Sequence, residues 1–261
     1  MLEVYSRSLY LNDHVRKTYE GFSKKFQSCL FEPKGQAALN YLLKRGIDET
    51  LIKKFSIGWC PEDAPLQGLF QNLRGRLIFP TKDEYGDLRS FSGRFPVDKE
   101  FLTTEQKSIR WWNESFNKAY FFYGLDVALE NIIKKKYVIL VEGQTDVISC
   151  HKHGLDIAVG LMSDDFTEPH FAKITRFTNN FILLLDGDSA GRESSKKIKS
   201  YIEERRAYGN NFNRGFNVYN ISLVVNGKEY DPDEFLRKYG SAPILKKMHK
   251  MVEEKKRTVE A

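Results

Sequence analysis

Two apolar runs, each ending in an acidic residue followed by glycine, constrain this chain more than any other feature. The first, Tyr137 to Val141 in YVILVEGQTDV, stops at Glu142-Gly143. The second, Phe181 to Leu185 in NFILLLDGDSAGR, comes about forty residues later and stops at Asp186-Gly187-Asp188, with Ala190-Gly191 close behind. Short β-branched and aliphatic runs bounded by turn residues predict buried strands. The glycine after Glu142 predicts a sharp backbone turn, because it has no Cβ to obstruct one. As strands of one parallel sheet, the two runs would bring Glu142, Asp186 and Asp188 out at a common carboxyl edge, where open α/β sheets place their ligands. Three convergent carboxylates offer hard oxygen donors suited to a divalent cation such as Mg²⁺.

The surrounding pattern supports that sheet. Predicted strands at 137–141, 156–161, 181–185 and 218–224 alternate with predicted helices at 145–153, 167–177 and 189–206. Such alternation specifies a mostly parallel sheet with flanking helices. Gly154 is expected to cap the first of these helices, and Thr167 with Pro169 to open the second. The carboxylates of Ser163-Asp164-Asp165-Phe166 have two uses, capping that second helix, which is preferred, or altering metal occupancy. His151 and His153, beside Lys152 near a helix end, are assigned to solvated positions favoured by the helix dipole, because Mg²⁺ takes oxygen ligands. In EYDPDEFLRKYG, Pro232 holds Asp231 and Asp233 apart in an extended turn, and Asp233 is expected to cap the helix through Phe235 and Leu236. Beyond Gly240 an amphipathic helix fades into a charged tail.

The first part of the chain reads as a mixed α+β region. Tyr5, Tyr10, Tyr19, Phe22 and Phe26 predict one or two amphipathic helices in residues 1–30. Ala38, Leu42 and Leu43 predict a helix stopped at Gly46, with a second through Leu51 and Ile52. A scaffold role for this pair is preferred over DNA reading by a recognition helix. From Arg74 to Arg110, short alternating segments and the turn Glu84-Tyr85-Gly86-Asp87 predict a small antiparallel sheet. Arg74, Arg76, Arg94 and Arg110 punctuate it, and two uses for them remain open: phosphate recognition, or ion pairs with Asp83, Glu84 and Asp87. At Trp111-Trp112, neighbouring strand residues face opposite sides, so one ring can stack on a base while the other packs inward. Leu125, Ala128, Leu129 and Ile132 then predict a helix.

Composition bounds the partners. The chain has 261 residues and a formal charge of +6, which favours a polyanionic partner and is equally compatible with simple solubility charge. Cys29, Cys60 and Cys150 are scattered, so neither a disulfide framework nor a zinc site is expected. No apolar run is long enough to span a membrane and no secretory segment opens the chain, so a soluble cytoplasmic protein is expected.

The acidic motifs, Glu142-Gly143 with Asp146 and Asp186-Gly187-Asp188 with Ala190-Gly191-Arg192, resemble the Toprim signature. LRGRLIFP (73–80), FSGR (91–94), WWNES (111–115), FYGLDVALE (122–130), TNN (178–180) and EYDPDEFLRKYG (229–240) extend the resemblance, in order, to bacterial and phage DnaG-type primases. The resemblance implies a Toprim domain at 135–228, preceded by an α+β subdomain at 1–134 and followed by an acidic segment with carboxyl-terminal helices at 229–261. It implies DNA-templated synthesis of RNA primers by two-metal transfer. The alternatives are a Toprim nuclease, using the same carboxylates for hydrolysis, and a non-catalytic nucleic-acid-binding replication subunit. By the same resemblance, Glu142, Asp186 and Asp188 are catalytic and hold Mg²⁺ or Mn²⁺, Asp231 and Asp233 complete the metal cluster, and Asp146 supports it. Arg76, Arg94, Arg110, Trp111, Asn113 and Lys118 bind nucleotide or template, with Arg110 and Trp111 standing where these primases have lysine and tyrosine. Implied partners are single-stranded DNA, ribonucleoside triphosphates, a replicative helicase and a zinc-binding module supplied elsewhere, in a bacterial or phage-infected cell.

Overall fold

The computed structural model describes residues 13–98, 101, 103–104, 109–162, 165–208 and 215–260, so the expectations for Tyr5, Tyr10, Ser163 and Asp164 lie outside the described residues. The chain divides between Asn117 and Lys118 into two units.

In the first unit, helices α1 (Asp13–Phe31), α2 (Gln36–Lys44) and α3 (Glu49–Lys54) precede strands β1 (Gly58–Cys60), β2 (Arg76–Lys82), β3 (Leu88–Arg94) and β4 (Trp111–Asn113). The strands form one antiparallel sheet in the order β1-β2-β3-β4. Tyr19, Phe22 and Phe26 recur at helical spacing and lay one stripe of α1 on this sheet. Tyr19 stacks on Phe91 with centroids 5.4 Å apart, and Phe26 meets the same ring edge-on at 5.7 Å. On α2 the buried stripe is Ala38, Tyr41 and Leu42, which leaves Leu43 off the stripe and 47% exposed. Asp48 caps α3 by accepting the Leu51 N–H at 2.9 Å. The three cysteines of the chain are free and buried.

The β2–β3 hairpin turns where its sequence places the turn, and a single carboxylate organises it. Asp83 Oδ1 accepts the N–H of Tyr85 at 2.9 Å and of Asp87 at 3.0 Å, an Asx-type turn. Its Oδ2 accepts Arg89 Nε at 2.9 Å and also the Arg89 Nη2 donor, a fork-shaped ion pair with both partners buried. The acidic residues of this turn were open to surface pairing with the neighbouring arginines; Asp83 instead takes Arg89 in a buried pair, while the partly exposed Asp87 lies 3.6 Å from both Arg16 and Arg89.

The second unit begins with α4 (Leu125–Lys135) and then alternates strand and helix: β5 (Val138–Val141), α5 (Gln144–Lys152), β6 (Ala158–Gly160), α6 (Glu168–Ile174), β7 (Asn180–Leu183), α7 (Ser189–Tyr208) and β8 (Asn217–Asn220). The four strands are parallel, in the order β6-β5-β7-β8. Residues 118–134, grouped with the amino-terminal part by sequence, pack here: Tyr123 exchanges two backbone hydrogen bonds with Gly160, and Leu125, Ala128 and Ile132 are buried. The TNN motif ties two turns together, since Thr178 Oγ1 and Asn180 Nδ2 both donate to the Lys136 carbonyl, at 2.6 and 2.7 Å.

Three local expectations are corrected. The last strand does not run from 218 to 224. It ends at Asn220, and a hairpin of β9 (Val224–Val225) and β10 (Lys228–Glu229) follows, closed by Asn226 at φ 51° and Gly227 at φ 78°. Asn-Gly is the dipeptide that a type I′ turn demands, so the signal was present in the sequence. His151 is buried and its Nε2 lies 3.0 Å from the Ala158 carbonyl, because it sits on the inner face of α5 while the next residue, Lys152, is exposed. Finally, α8 (Pro232–Tyr239), which precedes α9 (Ala242–Glu260), is capped by Asp231 rather than Asp233. Pro232 occupies the first helical position, which it suits, so the cap falls one residue before it.

The Asp83 site makes a stability prediction. Asp83→Ala should destabilise the first unit by about 3–5 kcal/mol, because the buried Arg89 loses its close counter-charge and is left with the longer contact to Asp87, at 3.6 Å. Asp83→Asn, which keeps the turn acceptor, should cost less. Chemical denaturation of the three proteins measures the difference, and equal stability would remove the ion pair from the account.

Candidate active site

Each acidic residue at the carboxyl edge is positioned by a different local device. Glu142 follows β5, and its Oε1 accepts the Asp186 N–H at 3.1 Å, linking the ends of β5 and β7. Asp188 accepts the Gly191 N–H at 2.9 Å and so caps the start of α7. Asp231 accepts the Glu234 N–H at 2.6 Å at the start of α8. Asp233 is buried and its Oδ2 accepts Arg237 Nε at 3.2 Å. Asp146 is also buried; its Oδ2 accepts the Gly143 N–H at 3.1 Å and its Oδ1 the Asp233 N–H at 3.3 Å.

Two glycines make these approaches possible. Gly143 has φ −113°, an angle open to any residue, so the turn itself does not require glycine. What it supplies is space: a Cβ there would lie 2.9 Å from Asp146 Oδ2. Gly191 lies so close to the loop before it that a Cβ would stand 2.2 Å from the Asp186 carbonyl oxygen. The sequence had no marker for either close approach.

The electrostatics show how crowded the carboxylates are. Burial raises the Asp186 carboxyl to about 7, helped by the charges of Glu142, Asp231, Asp188 and Glu234. Burial first, then Asp231, Asp186 and Asp233, pushes Asp146 well above the usual carboxylate range. Asp231 is raised in the same way. Even so, among the described residues no three His, Cys, Asp or Glu side chains are gathered so as to hold a metal ion as they stand. The convergence expected from sequence is therefore electrostatic proximity without a preassembled ligand cage. Like charges repel, and Asp188, Asp231 and Asp146 are each turned toward backbone donors. The donor set still fits a hard dication. Asp186 Oδ1 is buried with no hydrogen-bond partner, an arrangement that costs free energy unless something positive meets it.

Sequence reading missed the residues that frame this edge. Arg192 Nη1 donates to the Gly187 carbonyl and to Glu229 of β10, and the Gly187 N–H donates to the Tyr230 carbonyl at 2.9 Å. The hairpin thus fixes the Asp186-Gly187-Asp188 loop and delivers Asp231 beside it. The Asn-Gly turn was the one available signal.

Most of the basic and aromatic candidates belong to the first unit. Arg76 is 5% exposed; its Nη1 donates to the Arg110 carbonyl at 3.0 Å and its guanidinium lies 3.7 Å from the Phe95 ring centroid. Arg94 is 3% exposed, donates to Tyr41 Oη at 2.9 Å and lies against the Trp111 ring at 5.5 Å. Arg74 donates to the carbonyls of Ala64 and Leu66, at 2.9 and 2.7 Å. Surface ion pairing is therefore not the use of these three arginines, and neither Arg76 nor Arg94 stands open to solvent. Arg110 is half-buried, with Nε buried and lacking a hydrogen-bond partner. Trp111 packs on Phe79 with centroids 5.3 Å apart, whereas Trp112 packs against the core beneath α1, on the opposite face. Asn113 pairs with Ser92 at the end of β4. Lys118 belongs to the second unit, where its Nζ lies 3.4 Å from the Met162 carbonyl.

Known proteins resemble this chain in sequence and fold. Residues 139–236 match the Toprim-like family. A DNA primase of Staphylococcus epidermidis is 30% identical over 241 residues, covering 81% of this chain and 37% of that protein. One from Lactococcus lactis subsp. lactis is 29% identical over 234 residues, covering 79% and 34%. The chain thus spans little more than a third of the length of these relatives. A solved DnaG catalytic core superposes with a TM-score of 0.73 at 25% identity, covering 90% of this chain and 79% of that one. A DnaG primase catalytic domain bound to single-stranded DNA gives 0.73 and 25%, covering 90% and 78%. Residues 139–236 are therefore similar to the Toprim-like family, and the chain shares its fold with solved catalytic cores of DnaG primase.

Proposed function

We propose that this chain is the primer-synthesising core of a DNA primase, joining ribonucleoside triphosphates on a single-stranded DNA template. The observation that carries the proposal is the buried, unpartnered Asp186 Oδ1 amid the charges of Glu142, Asp188 and Asp231 at the carboxyl edge of a Toprim-like sheet. The amino-terminal sheet with LRGRLIFP and FSGR favours a primase over a bare nuclease, which has no use for it.

Glu142, Asp186 and Asp188 are the residues to hold Mg²⁺ or Mn²⁺, with Asp231 adding charge beside Asp186. Two such cations, when bound, neutralise the triphosphate and favour the ionised form of the attacking hydroxyl, the chemistry of in-line nucleotidyl transfer. The primer 3′-oxygen attacks the α-phosphorus, and pyrophosphate leaves. Asp233 and Asp146, both buried and bound to backbone or Arg237, hold the frame. Arg110 and Lys118 supply cationic contacts to phosphate, and Trp111 offers a face for base stacking, each stacked base contributing roughly 1–3 kcal/mol. Arg76 and Arg94 act beneath Arg110 and Trp111, since one grips the Arg110 carbonyl and the other braces the Trp111 ring. A replicative helicase and a zinc-bearing module complete the proposed partners.

The direct test is ribonucleotide incorporation on single-stranded DNA with Mg²⁺ or Mn²⁺. Glu142→Gln and Asp186→Asn should each reduce dinucleotide synthesis at least about a hundredfold while preserving circular dichroism, since a single lost charge contact at the reacting centre is worth several kcal/mol. Near-normal synthesis by both variants would overturn the assignment, and DNA cleavage without synthesis would favour the nuclease.

The crowded carboxylates predict a second effect. In the absence of divalent ions and above pH 7, where Asp186 is ionised, Asp186→Asn should raise the thermal midpoint by about 2–4 °C, because it removes one of several repelling charges. Millimolar Mg²⁺ should stabilise the parent chain and leave the variant unchanged, as expected for a ligand that binds only the folded site. Calorimetric scans with and without Mg²⁺ decide it.

For the basic residues, Arg110→Ala should weaken single-stranded DNA binding and reduce the slope of log affinity against log salt by about 0.7, the share of one phosphate contact. An unchanged slope would return Arg110 to an internal role in the β4 region.

A further inference from the structure

Three carbonyls of one short turn, those of Lys118, Ala119 and Phe121, are gripped by two side chains from the opening of α6. His170 is 0% exposed, and its Nε2 lies 3.0 Å from both the Lys118 and the Phe121 carbonyl oxygens. Thr167 Oγ1 donates to the Ala119 carbonyl at 2.8 Å. The Thr167 backbone N–H donates to His170 Nδ1 at 3.3 Å, so Nδ1 acts as an acceptor and Nε2 carries the proton that the two carbonyls share. Burial, with the Lys173 charge in support, lowers the imidazole from its ordinary range and keeps it in this neutral form. The rings of Phe122 and Phe166 pack against it, with centroids at 4.6 and 5.9 Å.

The clamped turn ends at the acidic edge. Lys118 Nζ lies 3.4 Å from the Met162 carbonyl, and the Met162 N–H donates to the Glu142 carbonyl at 2.9 Å. One residue therefore separates the Lys118 ammonium from the backbone of Glu142. Lysine is a point charge on a flexible stem, so its aim depends on where its backbone is held. Helix capping requires only Thr167 and His170 Nδ1; the Nε2 contacts serve the turn alone.

We infer that His170 is a positioning residue, which fixes the 118–121 turn so that the Lys118 ammonium is presented beside Glu142 to the triphosphate of an incoming nucleotide. This rests on the proposed nucleotide contact of Lys118. Asparagine at 170 can reproduce Nδ1 but is too short to reach the turn, whereas glutamine can place an N–H near Nε2.

The test is a double-mutant cycle on the 261-residue chain, with ATP and Mg²⁺ as the probe and affinity measured by calorimetry. His170→Asn should weaken ATP binding on the order of tenfold, the size of one charge-assisted hydrogen bond, and His170→Gln should restore most of it. In a Lys118→Ala background the His170→Asn loss should vanish, because the charge it aims is gone. Thermal midpoints of all variants separate loss of fold from loss of aim. The same loss in both backgrounds, or no loss in either, would overturn the role of His170 while leaving the Lys118 contact standing. ATP affinity unaffected by Lys118→Ala alone would instead remove the nucleotide contact, and with it this inference.

Discussion

A carboxylate that is buried and accepts two backbone hydrogen bonds holds the acidic edge together. Asp146 joins the N–H of Gly143, at the start of α5, to the N–H of Asp233, in the first turn of α8. Those two helices begin just after Glu142 and Asp231, so the edge depends on a residue whose oxygens are engaged in joining them. Burying a carboxylate among Asp231, Asp186 and Asp233 is unfavourable, and the two N–H donors offset part of that penalty. The dipoles of both helix starts act in the same direction, since each presents positive partial charge toward it.

The rest of the edge follows the same rule, with charge held by backbone donors. Asp188 caps α7, Asp231 caps α8, and Glu142 takes the N–H of Asp186. Asp186 is the exception, with one oxygen buried and unmatched. A site built this way is stiff in its frame and unsatisfied at its centre, the condition under which a divalent cation adds most to stability.

The first unit uses its cations differently. Arg74, Arg76, Arg89 and Arg94 are engaged internally, by carbonyls, by Asp83 and by aromatic faces. Guanidinium groups tolerate such burial because they stay charged, lie flat on rings and present donors in a fixed fork. Gly93 belongs to this packing: a Cβ there would come within 2.9 Å of Arg76 Cδ, so the glycine of FSGR leaves room for the arginine stem. The arginines of this sheet thus shape the surface that carries Trp111 and Arg110.

The periodicity of the sequence was enough to specify the parallel sheet, the helices between its strands and the edge at which Glu142, Asp186 and Asp188 emerge, because apolar runs of this length bury themselves in only a few ways. Local chemistry also marked the Thr167 cap and the 84–87 turn. Burial, approach and the choice among competing partners were decided by tertiary structure. Nothing local distinguishes Arg89, which takes Asp83, from Arg74, which takes two carbonyls. Nor does spacing reveal that His151 is enclosed or that residues 118–134 bond to the edge of β6. Sequence spacing records which groups share a face of one element; hydrogen-bond partners and charge crowding depend on distances between elements, and those exist only once the chain has packed.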